Sequence, residues 1–154
     1  MTSRCEYRLT LRQDNADLRL TERAHEIGLA TDERYEKMLH KKKTIDEEIE
    51  RLKSIMVTPT KETNEKLRKL GSSELKTGIT LLDLIKRPEL TYDKTEEFDV
   101  DRPELPRYLR LQVETHIKYE GYIAKQMSQI KQFKKLENRK LDMIEDYKLS
   151  LIHI

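Results

Sequence analysis

The sequence has little of what disulfide-stapled, zinc-binding or membrane-spanning proteins need. Its 154 residues include one cysteine, Cys5, and four scattered histidines, so neither an internal disulfide nor a Cys/His zinc cluster is possible. No apolar run approaches the ~20 residues that span a bilayer. Tryptophan is absent, and four glycines are few for the tight turns of a β-sandwich or barrel. These absences exclude a secreted disulfide scaffold and argue against an all-β fold.

Charge of both signs is abundant instead. Charged residues make up 39% of the chain and hydrophobic ones 36%, yet the formal net charge is only +2. The chain as a whole is therefore neither polybasic nor acidic, and the pattern is typical of exposed helices with ion pairs four residues apart. Disorder is the competing interpretation, but the apolar residues are periodic rather than sparse. Charges at positions 4, 6, 8 and 12 interrupt any signal peptide, so we expect a reduced, cytoplasmic protein.

The first block, residues 2–29, begins ambiguously. Residues 7–12 alternate apolar and polar side chains, which is typical of a strand. Arg4, Arg8 and Arg12 recur every four residues, which is typical of one face of a helix. The rest of the block predicts a helix over residues 18–27 that stops at Gly28.

Residues 32–56 predict a long helix. Apolar side chains recur at alternating spacings of three and four, with a lysine in one position, as in a heptad seam: Tyr35, Met38, Lys42, Ile45, Ile49, Leu52 and Met56. Thr31 or Asp32 can cap its N-terminus. Thr58-Pro59 should end it, because a residue before proline avoids the helical region. We expect two surface ion pairs: Glu33/Lys37 and Glu47/Arg51.

Four further segments follow. A short helix should stop at Gly71, and the most apolar stretch, residues 79–86, predicts a buried short helix. Residues 88–106 hold three of the four prolines and predict a connecting loop. A second long helix should run from Pro106 into the 130s, with an apolar side formed by Leu109, Val113, Ile117, Ala124, Met127 and Ile130. Gly121 in mid-helix costs about 1 kcal/mol relative to Ala, and close approach of another helix would be one reason to accept that cost.

These elements predict an all-α fold. Two long antiparallel helices should each bury the apolar seam of the other, with the shorter helices packed on them.

No group of residues predicts catalysis. The glycines are too far apart for a phosphate-binding loop, and the histidines lie at unrelated positions. We therefore predict no catalytic, cofactor-binding or metal site within the chain itself.

The candidate binding residues are basic. Four arginines lie roughly a helical turn apart and could follow a nucleic-acid backbone, because guanidinium groups bind phosphate bidentately: Arg4, Arg8, Arg12 and Arg19. They could equally form a structural network with neighbouring carboxylates. Lys118 and Lys125 begin the basic side of the last helix, and lysines within 131–140 form either a solvated face or a phosphate-contacting patch. Tyr119 and Tyr122 could stack on bases or pack at a helix interface.

Several blocks of the sequence resemble a known family in order and spacing. Residues 2–21 read TSRCEYRLTLRQDNADLRLT, residues 84–89 read LIKRPE, and residues 117–123 read IKYEGYI. Shorter blocks between them also match, at residues 26–29, 52–54 and 113–114. Together they resemble the GidA/MnmG family, the tRNA uridine 5-carboxymethylaminomethyl modification enzymes.

The resemblance implies a specific function, which composition and residue spacing alone do not indicate. Family members are FAD-dependent, use NADH and a folate-derived one-carbon unit, and work as homodimers. With a GTPase partner, MnmE, they modify the wobble uridine of certain tRNAs. The chain would then be the tRNA- and partner-binding helical part of such an enzyme, a fragment of a larger FAD-containing protein. The arginines would face tRNA phosphates or the FAD domain. The alternative is a helical protein-interaction module without RNA binding.

The same resemblance divides the chain. Residues 1–30 would be a junction following the FAD domain, residues 31–147 an incomplete helical C-terminal domain, and residues 148–154 a non-native tail. The family's GxGxxG loop and catalytic cysteines are missing, and Cys5 stands where the family has Ala. We therefore expect the chain by itself to be inactive.

Overall fold

Helices form most of the structure, a computed structural model that describes residues 7–137. In chain order the elements are α1 (Ala16–Glu26), α2 (Asp32–Ser54), β1 (Met56–Val57), α3 (Lys61–Lys69), β2 (Ile79–Thr80), α4 (Leu81–Ile85), a 3₁₀ helix (Asp93–Phe98) and α5 (Arg107–Glu137). The all-α class, with two long helices and shorter packed helices, is confirmed.

Local sequence signals place most helix ends. The hydroxyl of Thr31 accepts a hydrogen bond from the Arg34 amide and caps α2, as predicted. Thr60 and Thr80 cap α3 and α4 in the same way. Gly28 and Gly71 follow α1 and α3 with φ of +74°, a conformation that favours glycine.

The end of α2 differs from the prediction. The helix stops at Ser54, and Met56 and Val57 form β1, an antiparallel partner of β2, with Met56 opposite Thr80 and Val57 opposite Ile79. Met56 is exposed there and is not part of the helical seam. The prediction was wrong because β1 pairs with residues more than twenty positions away in the sequence. The spacing of apolar residues within one segment cannot reveal such a distant partner.

The core lies between α2, α4 and α5. Met38, Ile45 and Leu52 are buried along α2 at the predicted seven-residue spacing, whereas Lys42 of the predicted seam is exposed. The buried short helix predicted over residues 79–86 covers only Leu81–Ile85, because Ile79 and Thr80 form β2. On α5, Leu109, Val113 and Ile117 are buried, whereas Ala124 and Met127 are exposed. The prediction that the whole apolar side of α5 is buried was therefore wrong, because α5 extends past the core.

Residues 88–106 are not merely a connecting loop. They contain the 3₁₀ helix, and four of their side chains are buried: Leu90, Tyr92, Thr95 and Asp99. Their burial depends on residues of α2 that the local composition does not reveal.

The two long helices run in the same direction. Tyr108, in the first turn of α5, and Met38, in the first half of α2, line the same open depression. Further along both helices, Glu120 of α5 interacts electrostatically with Lys53, near the end of α2. The predicted antiparallel arrangement is thereby corrected. Antiparallel neighbours are typical of short connections, whereas the long connection over residues 55–106 carries the chain back before α5 begins.

Candidate functional site

The N-terminal segment, residues 7–14, is a turn that neither of its two periodicities predicted. The amides of Thr10 and Leu11 both donate to the carbonyl of Tyr7 at 2.9 Å, and Tyr7 has φ of 56°. Asn15, just before α1, donates from Nδ2 to the carbonyl of Thr10 at 3.0 Å. These bonds hold the backbone of the turn that carries Arg8 and Arg12.

Arg12 is held by the turn itself. Its Nε lies 3.0 Å from Asp14 Oδ1, and its Nη1 donates to the carbonyl of Leu9 at 2.6 Å. Burial opposes ionisation of Asp14, but the hydrogen bond and charge of Arg12 lower the pKa of that carboxyl below its usual value. The guanidinium carbon of Arg12 lies 5.9 Å from the ring centre of Tyr119 on α5, within the range of a cation–π contact.

The structure brings Arg12 and Arg19 together and leaves Arg8 apart. Arg19 donates from Nε to Asn15 Oδ1 at 2.9 Å and from Nη2 to the carbonyl of Arg12 at 3.4 Å. Arg8 is exposed, and within residues 7–137 it has neither a hydrogen bond nor an ion pair. Arg4 lies outside the described residues.

The turn over residues 7–14, which we call the arginine turn, packs along α5. Its contacts are made by three side chains of α5 that lie seven residues apart. Gln112 donates from Nε2 to the carbonyl of Asp14 at 2.8 Å. Tyr119 contacts Arg12, and Gln126 accepts a hydrogen bond from the hydroxyl of Thr10 at 2.8 Å. Local sequence patterns did not predict this contact, although the seven-residue spacing of Gln112, Tyr119 and Gln126 indicates a polar stripe on α5.

Lys118 and Lys125 lie around one open depression beside Gly121, which Lys86, Tyr122 and Ala124 also line. Lys118 is paired with Glu114 at 3.0 Å. Lys125 is exposed and has no ion pair within the described part of the chain. No atom lies within 4 Å of the point where a side chain at Gly121 would begin, so no neighbouring helix approaches it among these residues.

A buried polar network, also missed from the sequence, anchors residues 88–106 to α2. Arg51 contacts Glu48 and Asp99, and the hydroxyl of Tyr92 donates to Glu48 Oε1 at 2.7 Å. The guanidinium of Arg102 lies 4.3 Å from the ring centre of Tyr92. The expected Glu47/Arg51 pair is therefore wrong, whereas Glu33 and Lys37 do pair. The network fastens one segment to another and exposes no reactive group.

The glycines are not placed as in a dinucleotide-binding loop. A dinucleotide pyrophosphate needs clustered glycines at the start of a helix, and the four glycines here follow α1, follow α3, precede β2 and lie inside α5. Within residues 7–137, no group of three or more His, Cys, Asp or Glu side chains is arranged to hold a metal ion. None of the helices described there is apolar over a length that would cross a bilayer.

Comparison with known proteins decides the family. The family model described as "tRNA modifying enzyme MnmG/GidA C-terminal helical domain" matches residues 32–127, more than half of the chain. The chain belongs to the MnmG/GidA family. Its match to that model begins at the first residue of α2 and ends within α5.

Relatives in the MnmG/GidA family are much longer than this chain. The tRNA uridine 5-carboxymethylaminomethyl modification enzyme MnmG of Finegoldia magna is 97% identical over 96% of this chain, which spans 24% of that protein. MnmG of Caldicellulosiruptor saccharolyticus is 58% identical over 96% of the chain, again 24% of its own length. The chain thus spans about a quarter of these relatives.

A solved structure shows the same helical fold. GidA of Aquifex aeolicus in its form I crystal superposes with a TM-score of 0.67 at 31% identity, over 91% of this chain and 20% of that one. The form II crystal of the same protein gives a TM-score of 0.65 at 27% identity, covering 84% of this chain and 19% of that one.

Proposed function

We propose that this chain is the tRNA- and partner-binding helical part of an FAD-dependent enzyme that, with the GTPase partner MnmE, installs carboxymethylaminomethyl on the wobble uridine of tRNA. The observation that carries the proposal is the family match over residues 32–127. Relatives that cover nearly the whole chain are named as tRNA uridine modification enzymes, which supports tRNA as the ligand. The complete enzyme would be a homodimer in the cytoplasm that uses NADH, with its flavin held outside this chain.

The domain division forms part of the same proposal. Residues 1–30 join the flavin domain to the helical domain, residues 31–147 belong to the helical domain, and residues 148–154 form a non-native tail. The start of the family match at residue 32 and the Thr31 cap of α2 support a boundary there.

Among the proposed tRNA-binding residues, Arg8 has the clearest basis. Its guanidinium is exposed without a partner in residues 7–137, so it is available to a phosphate. Arg12 and Arg19 hold the turn that presents Arg8, through their bonds to Asp14 and Asn15. Arg4, which lies outside the described residues, and Lys118 and Lys125 of α5 complete the proposed set.

The test is a filter-binding titration of tRNA with the full-length protein that contains this sequence. Arg8→Ala should weaken binding and reduce the slope of log affinity against log salt by about one, since each phosphate contact releases counterions. Lys42→Gln is the matched control, because Lys42 is exposed on α2 and no ion pair holds it in the described residues. Unchanged affinity and slope for Arg8→Ala would remove Arg8 from the interface.

A protein-interaction module without RNA binding is the second candidate. The face of α1 and the turn after it exposes large apolar side chains, with Leu29 79% exposed and Leu20 57% exposed. Such a face suits another polypeptide, including the flavin domain of the same protein. Crosslinks from this face to protein, together with no tRNA binding by the full-length protein, would favour the second candidate.

A further inference from the structure

The second half of α5 carries an unusual combination of side chains. From Gly121 to Leu136 it has four lysines, Lys125, Lys131, Lys134 and Lys135, and no Asp or Glu. In the first half of the same helix two cations pair with carboxylates, Arg110 with Asp93 and Lys118 with Glu114. The two halves of one helix thus differ in charge balance.

This half of α5 also lies beyond the core. Ile117 is the last buried residue of α5 in the described chain, and the residues that follow are exposed or half-buried. Lys125, Lys131 and Lys135 have no ion pair within residues 7–137. An unneutralised positive surface on a projecting helix attracts a polyanion.

Four exposed side chains form one strip on this half of the helix. Tyr122, Lys125, Gln129 and Phe133 follow at spacings of three, four and four, which places them on one helix face. Tyr122 is 65% exposed and Phe133 is 60% exposed. We name these four residues the distal strip.

Tyr122 lies next to Tyr119, the residue of α5 that contacts Arg12. Its ring centre lies 6.3 Å from that of Tyr119, and Tyr119 in turn contacts the guanidinium of Arg12. Beside Tyr122, Gly121 leaves the helix backbone open, with nothing within 4 Å of where a Cβ would be. An exposed aromatic ring next to open backbone leaves room for a flat base and its ribose.

We propose that the distal strip binds an unpaired segment of tRNA, with bases stacked on Tyr122 and Phe133, a phosphate on Lys125 and a base edge on Gln129. This inference rests on the proposed function. Proteins that bind unpaired RNA combine aromatic platforms with basic side chains, and each stacked base contributes a measurable share of the affinity. A protein partner fits less well, because lysine is depleted in protein interfaces and here separates the two aromatic rings.

The experiment measures tRNA affinity and its salt dependence in the full-length protein, between about 50 and 200 mM salt. Lys125→Gln should lower the salt slope by about one. The double variant Tyr122→Ala with Phe133→Ala should weaken binding by about tenfold or more and leave the slope unchanged, because stacking releases no counterions. Matched controls are Lys42→Gln on α2 and Tyr108→Ala, an exposed aromatic in the first turn of α5. Circular dichroism verifies that every variant is folded.

The outcomes separate this inference from the proposed function. If Arg8→Ala weakens tRNA binding and the strip variants match their controls, the distal strip is wrong and the proposed function stands. If the wild-type full-length protein binds no tRNA, both fail. If the strip variants lose the GTPase partner but keep tRNA affinity and slope, the strip is a protein surface and the inference is overturned.

Discussion

Arg51 donates two hydrogen bonds to the carboxylate of Asp99, from Nη1 at 2.8 Å and from Nη2 at 2.6 Å. The two residues are far apart in the sequence, and their contact closes residues 88–106 over α2. Arg51 also contacts Glu48, so one guanidinium serves two buried carboxylates. A buried carboxylate needs a cation beside it, and Arg51 supplies one to both.

Loss of the Arg51 guanidinium should therefore be costly. Arg51→Met leaves Glu48 buried without its cation and Asp99 with Arg102 alone, and we expect a loss of about 3–5 kcal/mol in the free energy of unfolding. Urea denaturation followed by circular dichroism measures it. Lys37→Met removes a cation from an exposed pair with Glu33 and should cost less than about 1 kcal/mol. Equal losses in the two variants would contradict the importance of the buried network.

Stability should fall at acid pH through Asp99. Burial opposes its ionisation, but the hydrogen bonds and charges of Arg51 and Arg102 hold its pKa below the ordinary value of 3.8. A carboxyl whose pKa is lower in the folded protein stabilises it fully above 3.8, and that contribution is lost as pH falls through the folded-state pKa. Urea titrations from neutral to acid pH should show this decline. The decline should be shallower in Asp99→Asn, and identical slopes would refute the assignment.

Tyr92 should resist ionisation at alkaline pH. Its burial and its hydrogen bond to Glu48 raise the pKa of the phenol well above the ordinary 10.0. The stabilisation is present below pH 10.0 and is lost as pH rises through the folded-state pKa. A phenolate absorbance titration should show one component that appears only with alkaline unfolding. That component should vanish in Tyr92→Phe and persist in Tyr108→Phe.

The Tyr92→Phe variant should also be less stable at neutral pH. Removal of the hydroxyl takes away one of the two donors to Glu48 Oε1 and leaves Arg51 Nη2 as the other, at a cost of about 1–3 kcal/mol. Thermal or urea unfolding measures the difference. An unchanged free energy of unfolding would show that Arg51 alone satisfies Glu48.

Gly121→Ala should stabilise the chain. Alanine gains about 1 kcal/mol over glycine in a helix interior, and a Cβ at position 121 meets nothing within 4 Å. We expect a higher midpoint of thermal unfolding. Gly28→Ala is the contrasting variant, because its φ of +74° penalises any side chain, and it should be destabilising. A lower midpoint for Gly121→Ala would mean that another part of the protein approaches α5 at this position.

Local sequence patterns predicted those features of the fold that depend on one segment alone. The seven-residue spacing of Met38, Ile45 and Leu52 predicted the buried face of α2, and Thr31 predicted its start. Hydrophobic period and capping are properties of neighbouring residues, so they can be read without the fold. The ordered motifs likewise indicated the MnmG/GidA family, which the comparisons confirm.

Contacts between distant segments could not be read in this way. The pairing of β1 with β2, the burial of Asp99 by Arg51 and the packing of Thr10 on Gln126 each join residues far apart in the chain. The direction of α5 relative to α2 also depends on the path of the long connection between them. The periodicity of a sequence indicates which face of a helix is apolar, but not which other segment packs against that face.

The sequence by itself determined that the chain is helical, which faces of its helices are apolar and to which family it belongs, because these depend on residue spacing and on motif order. Only the tertiary structure decided which cations are available. It holds Arg12 and Arg19 within the N-terminal turn, and it leaves Arg8 and Lys125 without partners among residues 7–137. A charged side chain can bind a ligand only where folding has not already supplied its counter-charge, and that depends on how distant segments meet.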